Sequence, residues 1–254
     1  MFASAERAEL AALWDELLAG TCKIESWSNT EASWSIVVSR RPRPSGANPT
    51  LRPRDVEILE RALLSGGRKQ IAVEAGLSCS SIAVIMQSCF QFMGLACLPS
   101  RIPGLLVAAA HARHHHDLCS PAHPSGRDAP FSSQHIITVP RPDANLAAWL
   151  APAEHAVIHL LIEGMTYAEI AHARRTSVRT VANQVASGFR RLDVSGRAEL
   201  LCLLARWGLT PPVPPARRPP SMVVPATRRA TSRRSRRSPE PSLHQQCLSP
   251  SPVT

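Results

Sequence analysis

A mainly α-helical fold with a small amount of β-structure is predicted by three features of this 254-residue chain. Apolar residues recur at three- and four-residue spacing through most segments. Aromatics are only 4 % of a chain that is 44 % hydrophobic, which favours compact helical units built on Leu, Ile, Val and Ala over a sandwich. A pattern of Pro, Ile-Ala and Ser also repeats after 99 positions. The predicted order is a helix, hairpin and linker (1–49), a first four-helix unit (50–112) and a His- and Pro-rich linker with one strand (113–149). A second four-helix unit (150–208) and a disordered Pro-, Arg- and Ser-rich tail (209–254) follow.

In residues 4–19, Leu10, Leu13, Trp14, Leu17 and Leu18 share one helical face, Ser4 is placed to cap and Gly20 to stop. This reads as a packing helix, with a partner-binding helix as the alternative. Residues 22–27 and 34–40 lean to β-structure, and Ser28-Asn29-Thr30 predicts the turn between them. Residues 40–49 read as a linker. Pro53 suits the first position of the next helix, whose apolar face is Val56, Ile58, Leu59, Ala62 and Leu63. Gly66-Gly67 breaks it. A short helix holds Gln70-Ile71-Ala72, Gly76 turns the chain, Ser78 opens a third helix, and residues 101–112 can form a fourth.

Sliding the chain by 99 positions lines up Leu51 with Leu150, Pro53 with Pro152, Ile71-Ala72 with Ile170-Ala171, Ser78 with Ser177, and Phe90 with Phe189. We read an internal repeat of one helical unit. Between the copies, 113–149 reads as irregular apart from a strand over 131–139, which we place beside the N-terminal hairpin in one sheet. His111, His114, His115, His116, Cys119 and His123 form the densest set of metal-capable side chains. The set has no second Cys and is broken by Pro, so a solvated His-rich loop is preferred to a metal site.

Eight Arg against one Glu in the tail account for seven of the ten net positive charges, so the part predicted to fold is only mildly basic. With eleven of the 23 Pro, the tail cannot bury enough apolar surface to offset its ordering entropy. Its Arg pairs suit sequence-independent phosphate contacts, or a tail with no partner. Seven scattered Cys without a C-x-x-C pair fit a reducing setting. No signal peptide is read at the N-terminus, and no apolar run approaches the ~20 residues of a membrane span. A cytoplasmic protein is expected.

The second copy carries the sharpest motif. A helix from Pro152 to Glu163, with Ala156, Val157, Leu160 and Leu161 inward and Ile158 and Ile162 widening that face, ends at Gly164. Thr166 and Glu169 have capping-box spacing at the next helix. Arg174-Arg175-Thr176 turns the chain, and Ser177 caps a third helix whose Val178, Val181, Val185, Phe189 and Leu192 face the core. Its opposite face carries Arg179, Ala182, Asn183, Ala186 and Arg190. In a helix-turn-helix that face enters the major groove, where Arg pairs with guanine and Asn with adenine. Ser177, Thr180 and the helix's first amides suit phosphates, and Arg190 and Arg191 suit the backbone at the far end. The plainer alternative is the wet face of an amphipathic helix.

The run Leu150-x-Pro152-x-Glu154, Gly164, Glu169-Ile170-Ala171, Ser177-Val178-Arg179-Thr180-Val181-x-Asn183 and Leu192-x-Val194-Ser195-x-Arg197-Ala198-Glu199-Leu200 resembles the LuxR/GerE-type DNA-binding domain. The resemblance covers 150–207. It implies a four-helix unit of a bacterial transcription regulator, with the third helix in the major groove of double-stranded DNA and a fourth that often mediates dimerisation. It implies DNA contacts at Ser177, Thr180, Val181, Ala182, Asn183, Gln184, Ala186, Arg190 and Arg191, to which residue chemistry adds Arg179. The chain departs from the family at Ala182, where a basic residue is usual, at Gln184, where His is common, and at Ala151, where Thr is usual. The first unit resembles the family more faintly, through Leu51-x-Pro53-Arg54, Gln70-Ile71-Ala72 and Ser78-x-x-Ser81-Ile82. Its third helix presents Ser80, Ala83, Val84, Gln87 and Gln91, none charged, so it reads as a degenerate copy kept for packing or pairing.

The expected function is therefore a DNA-binding transcription regulator. The alternative is a protein-interaction module on the same scaffold. The partners expected are a DNA duplex and either a homodimer or an intramolecular pairing of the two units. No Gly-rich phosphate loop, Ser/His/Asp set or carboxylate pair points to an enzyme, and no cofactor or metal is assigned. Residues 1–49 are too few for a phospho-receiver or a typical ligand sensor.

Overall fold

The computed structural model describes residues 1–41, 50–65, 67–96, 101–119, 134–143 and 145–210. These all fall within the compact unit Met1–Pro215, and the second unit, Ala216–Thr254, lies outside them. The predicted linker from 42 to 49, the loop holding His123, the first part of the 131–139 strand and the tail beyond Thr210 also lie outside the described residues.

Helix α1 (Ser4–Ala19) buries Leu10, Leu13, Trp14 and Leu17 and ends at Gly20, whose φ of 69° is the left-handed value that glycine adopts without a Cβ penalty. Ser4 is not the cap. Ala3 takes that position, and the Glu6 carboxylate accepts the Ala3 N–H at 2.6 Å, so an acid one turn in supplies the carboxylate half of a capping box that Ala3 cannot complete. Strands β1 (Cys22–Asn29), β2 (Ser33–Arg40) and β3 (Gln134–Pro140) form one antiparallel sheet in that order. The linker strand thus joins the hairpin, as expected. The turn begins two residues later than the sequence implies, because Ser28 and Asn29 still pair with β2 and the Thr30 hydroxyl takes the Ser33 N–H. Alternation in β2 drives Trp34, Ile36 and Val38 inward, where Trp34 pairs with Val139 and Ile36 with Ile137.

Nine more helices complete the described residues: α2 (Pro53–Ser65), α3 (Arg68–Ala75), α4 (Cys79–Phe92), α5 (Gly104–Cys119), α6 (Leu146–Trp149), α7 (Pro152–Ile162), α8 (Tyr167–Ala173), α9 (Val178–Leu192) and α10 (Arg197–Leu209). Pro53 and Pro152, Arg68 and Tyr167, and Cys79 and Val178 open helices 99 positions apart. The local bonds recur at the same interval. Ser78 Oγ takes the Ser81 N–H and Ser177 Oγ the Thr180 N–H, both at 3.0 Å. Leu77 N–H donates to Ala72 O and Thr176 N–H to Ala171 O. Left-handed backbone recurs at Gly76 and Arg175, and at Gly94 and Asp193. Packing repeats too: α4 lies on α2 and α3, and α9 on α7 and α8.

One hydrophobic core runs through the sheet and both helical segments. Helix α5 packs on α1, α2 and α10, and α10 packs on α5, α2 and α7. Two glycines permit close approaches. A Cβ at Gly104 would lie 2.5 Å from the Trp34 ring, and one at Gly208 would strike the Phe2 ring. Trp14 Nε1 donates to Glu60 at 2.9 Å, and Cys202 Sγ to Leu63 O at 2.8 Å, so polar ties join α1 and α10 to α2. Residues 113–119 are helical rather than irregular. The buried stretch from Gly104 to Ala112 has partners on several sides, and the His-rich segment continues that helix.

Candidate nucleic-acid interface

Helix α8 starts at a complete capping box. Thr166 Oγ1 accepts the Glu169 N–H at 3.3 Å and Glu169 accepts the Thr166 N–H at 2.5 Å. The Thr166 amide and hydroxyl hold the Glu169 carboxyl below the usual range, with a smaller contribution from the Arg101 charge. Ala171 O then closes the turn onto Thr176, Arg175 takes φ 52°, and Ser177 caps α9. Arg174 reaches back to Ala153 O at 3.1 Å, and Arg197 donates to Leu161 O and Ile162 O at the end of α7. These bonds tie the end of α8 and the start of α10 to α7.

The inner face of α7 is Val157, Ile158, Leu161 and Ile162, with Ala156 exposed and Leu160 half-buried. That differs from the sequence expectation. Ile158 meets α9 where residue 188 is glycine, and a Cβ there would lie 3.1 Å from Ile158 Cγ1. The close approach turns the Ile158 side of the helix inward. On α9, Val185 and Leu192 are buried as expected and Phe189 is half-buried, but Val178 is 50 % exposed because it sits in the first turn.

The ten residues proposed as contacts do not form one surface. Ser177, Arg179, Thr180, Asn183, Ala186, Arg190 and Arg191 are exposed, and Ala182 and Gln184 are half-buried. Val181 is 0 % exposed, so its side chain packs the core and cannot touch a duplex. The Oε1 of Gln184 is buried without a hydrogen-bond partner. Arg191 Nε lies 3.1 Å from Glu154, which also takes the Ala151 N–H at 2.9 Å. Glu154 thus supplies the carboxylate half of a cap that Ala151 cannot complete. Burial pushes the Glu154 carboxyl up, but bonds from Ser187 and Ala151 and the charges of Arg191 and Arg190 hold it below its ordinary range. The sequence places Arg175 only in a turn and not among the candidate contacts. It is exposed in the turn ahead of α9, and its alignment with Gly76 was the available signal.

Further chemistry-bearing groups lie outside α9. Burial pushes the Cys22 and Cys202 thiols up to about 12, which removes them as nucleophiles. His111, His114 and His115 lie on α5, the first of them buried, instead of in a loop, while the side chains of His116, Cys119 and His123 lie outside the described residues. Glu31, His159 and Glu163 offer donor atoms within 4.8 Å of one another. A fully buried guanidinium already serves that cluster: Arg141 contacts His159 Nε2 and Glu163, lies 2.6 Å from Asp143, and donates to Thr30 O. It ties the sheet to α7. No single helix among the described residues is long and apolar enough to cross a membrane. No family model, curated protein or solved structure matches the chain.

Proposed function

We propose that the chain is a bacterial DNA-binding transcription regulator of LuxR/GerE type, acting in the cytoplasm, with α9 as the major-groove helix. The observation that carries this reading is the exposure of Arg179, Asn183 and Arg190 on one face of α9, opposite the buried Val181, Val185 and Leu192. Arg179 and Asn183 are the base readers. Ser177 and Thr180 lie at the phosphate-facing end, and Arg190 follows the backbone. Arg191, paired with Glu154, is the weaker contact. In this reading 50–112 and 150–208 are two helix-turn-helix units. The packing of α5 on α10 supports their pairing within one chain, in place of a homodimer.

Ala182 and Ala186 leave small side chains on the reading face, which favours a second reading, a protein-interaction module on the same scaffold. Duplex binding by a chain ending at Pro215, measured against salt, separates the two. A regulator keeps a steep salt dependence without the tail, and Arg190→Ala lowers the slope of log K against log salt by about 0.9. Binding that disappears with the tail assigns all affinity to its eight Arg and sinks the proposal.

A further inference from the structure

Arg174, Arg175, Arg179, Arg190 and Arg191 lie in a stretch, 174–191, that contains no Asp or Glu. The stretch aligned with it at the 99-residue interval, 75–92, contains no charged residue of either sign. On α4 it exposes Ser80, Val84, Gln87 and Gln91. Gln87 and Gln91 have the chemistry to bond a base. Affinity for a duplex, however, comes largely from neutralised phosphates, and this stretch has no cation to neutralise one.

The fourth helices are occupied within the chain. In α10, Leu200, Leu201, Leu204, Ala205, Trp207 and Leu209 are buried, and Arg206 is the only exposed residue of Arg197–Leu209. The helix packs on α5, α2 and α7, Gly208 meets the Phe2 ring, and Trp207 stacks on Trp149 with ring centroids 6.0 Å apart. In α5, every residue from Gly104 to Ala112 is buried. A second copy that approached either helix would find its apolar face already covered. Uncovering it would return that surface to water.

We infer that the chain reads DNA as a single copy on a short, non-palindromic site, with α5 and α2 occupying the face of α10 that a second copy would need. This rests on the reading of α9 as a major-groove helix. A symmetric pair of reading helices requires two half-sites one helical turn apart, roughly 10 base pairs. Here the intramolecular pair has one charged reading helix and one neutral one, so a second half-site has nothing to hold it. The operator is therefore one half-site, read in one orientation.

The test takes the full chain through selection from random duplexes, then measures stoichiometry by sedimentation and affinity by titration. One unrepeated motif is expected, with one chain on a duplex that carries it once. Two inverted motifs roughly 10 base pairs apart are expected to bind two chains independently, each with Kd within about twofold of the single site. Arg179→Ala, at an exposed position, is expected to weaken binding to the selected site about tenfold. An enriched inverted or direct repeat, two chains on a single-motif duplex, or cooperativity above about tenfold between inverted motifs overturns the inference. If Arg179→Ala still weakens binding in those cases, α9 stands as the reading helix and only the single-copy operator falls. No enriched motif, or binding indifferent to Arg179→Ala, removes the major-groove reading and this inference with it.

Discussion

The segments α2–α4 and α7–α9 share their bonds and differ in their outward chemistry. Caps, turn bonds and left-handed positions recur at one interval. On the outer face of the third helix, however, Ser80 stands opposite Arg179, Val84 opposite Asn183, Gln87 opposite Ala186 and Gln91 opposite Arg190. Val84 is 63 % exposed, and Val73, opposite His172, is 82 % exposed. A buried face and its caps specify a helical unit, while the wet face is free to lose or keep charge. Fold likeness between the segments therefore says little about shared function.

The largest expected effect comes where the likeness breaks. Gly94 and Asp193 hold equivalent left-handed positions, but the first is docked to the sheet: Ile24 N–H donates to Met93 O at 2.7 Å, and a Cβ at Gly94 would lie 2.5 Å from Ile24 O. Gly94→Asp, which copies the other segment, is expected to cost about 3 kcal/mol or more, from backbone strain plus overpacking. Asp193→Gly is expected to change stability by less than about 1 kcal/mol. Urea midpoints of the two variants measure the contrast, and equal losses would show that the sheet does not hold that turn.

A second asymmetry is titratable. Helix α5, which follows the first segment, carries buried His111, whose pKa falls from 6.5 to about 4, mainly through burial. The unfolded chain binds this proton more readily than the folded one. The contribution is thus fully present above pH 6.5 and is lost as pH falls toward about 4, to a total on the order of 3 kcal/mol. His111→Leu is expected to flatten that part of the stability profile. An unchanged slope between pH 6.5 and 4 would mean that His111 is not held neutral.

The outward faces set the third test. Arg179→Ala is expected to weaken binding to a preferred duplex by about 1–3 kcal/mol, whereas Ser80→Ala leaves it unchanged. Equal effects would remove the functional distinction between the two helices.

Much of this contrast was legible in the sequence, because caps, glycines and apolar spacing are local signals. Ser78 and Ser177, the Thr166–Glu169 box and the 136–139 strand all formed where their residue types require. What was hidden depends on neighbours distant in sequence. The rotation of α7 follows from Gly188 on another helix, and the Gly208 contact follows from Phe2. The extension of α5 through His114 and His115 was masked by residues that read as solvated loop. Among the candidate contacts, α9 periodicity already turned Val181 inward, and burial settles that conflict against the family-implied contact. The buried amide oxygen of Gln184 had no local signal at all.

The smallest expected effect isolates backbone from packing. Gly76 and Arg175 occupy the same left-handed turn, and a Cβ at Gly76 would meet nothing within 4 Å. Gly76→Arg therefore adds no clash, and its cost is the left-handed penalty less the entropy that glycine loses on folding. That net is about 1 kcal/mol or less. The reverse change, Arg175→Gly, is expected to stabilise by a similar amount while removing a cation beside α9. If stability rises but duplex affinity falls, Arg175 occupies a strained position in the turn and its charge contributes to binding. If stability rises and affinity holds, the strain has no functional counterpart, and the basic character of the interface rests on Arg179 and Arg190. If stability does not rise, neighbouring bonds such as Thr176 N–H to Ala171 O compensate for the strain, and the two turns are alike in geometry but not in energy.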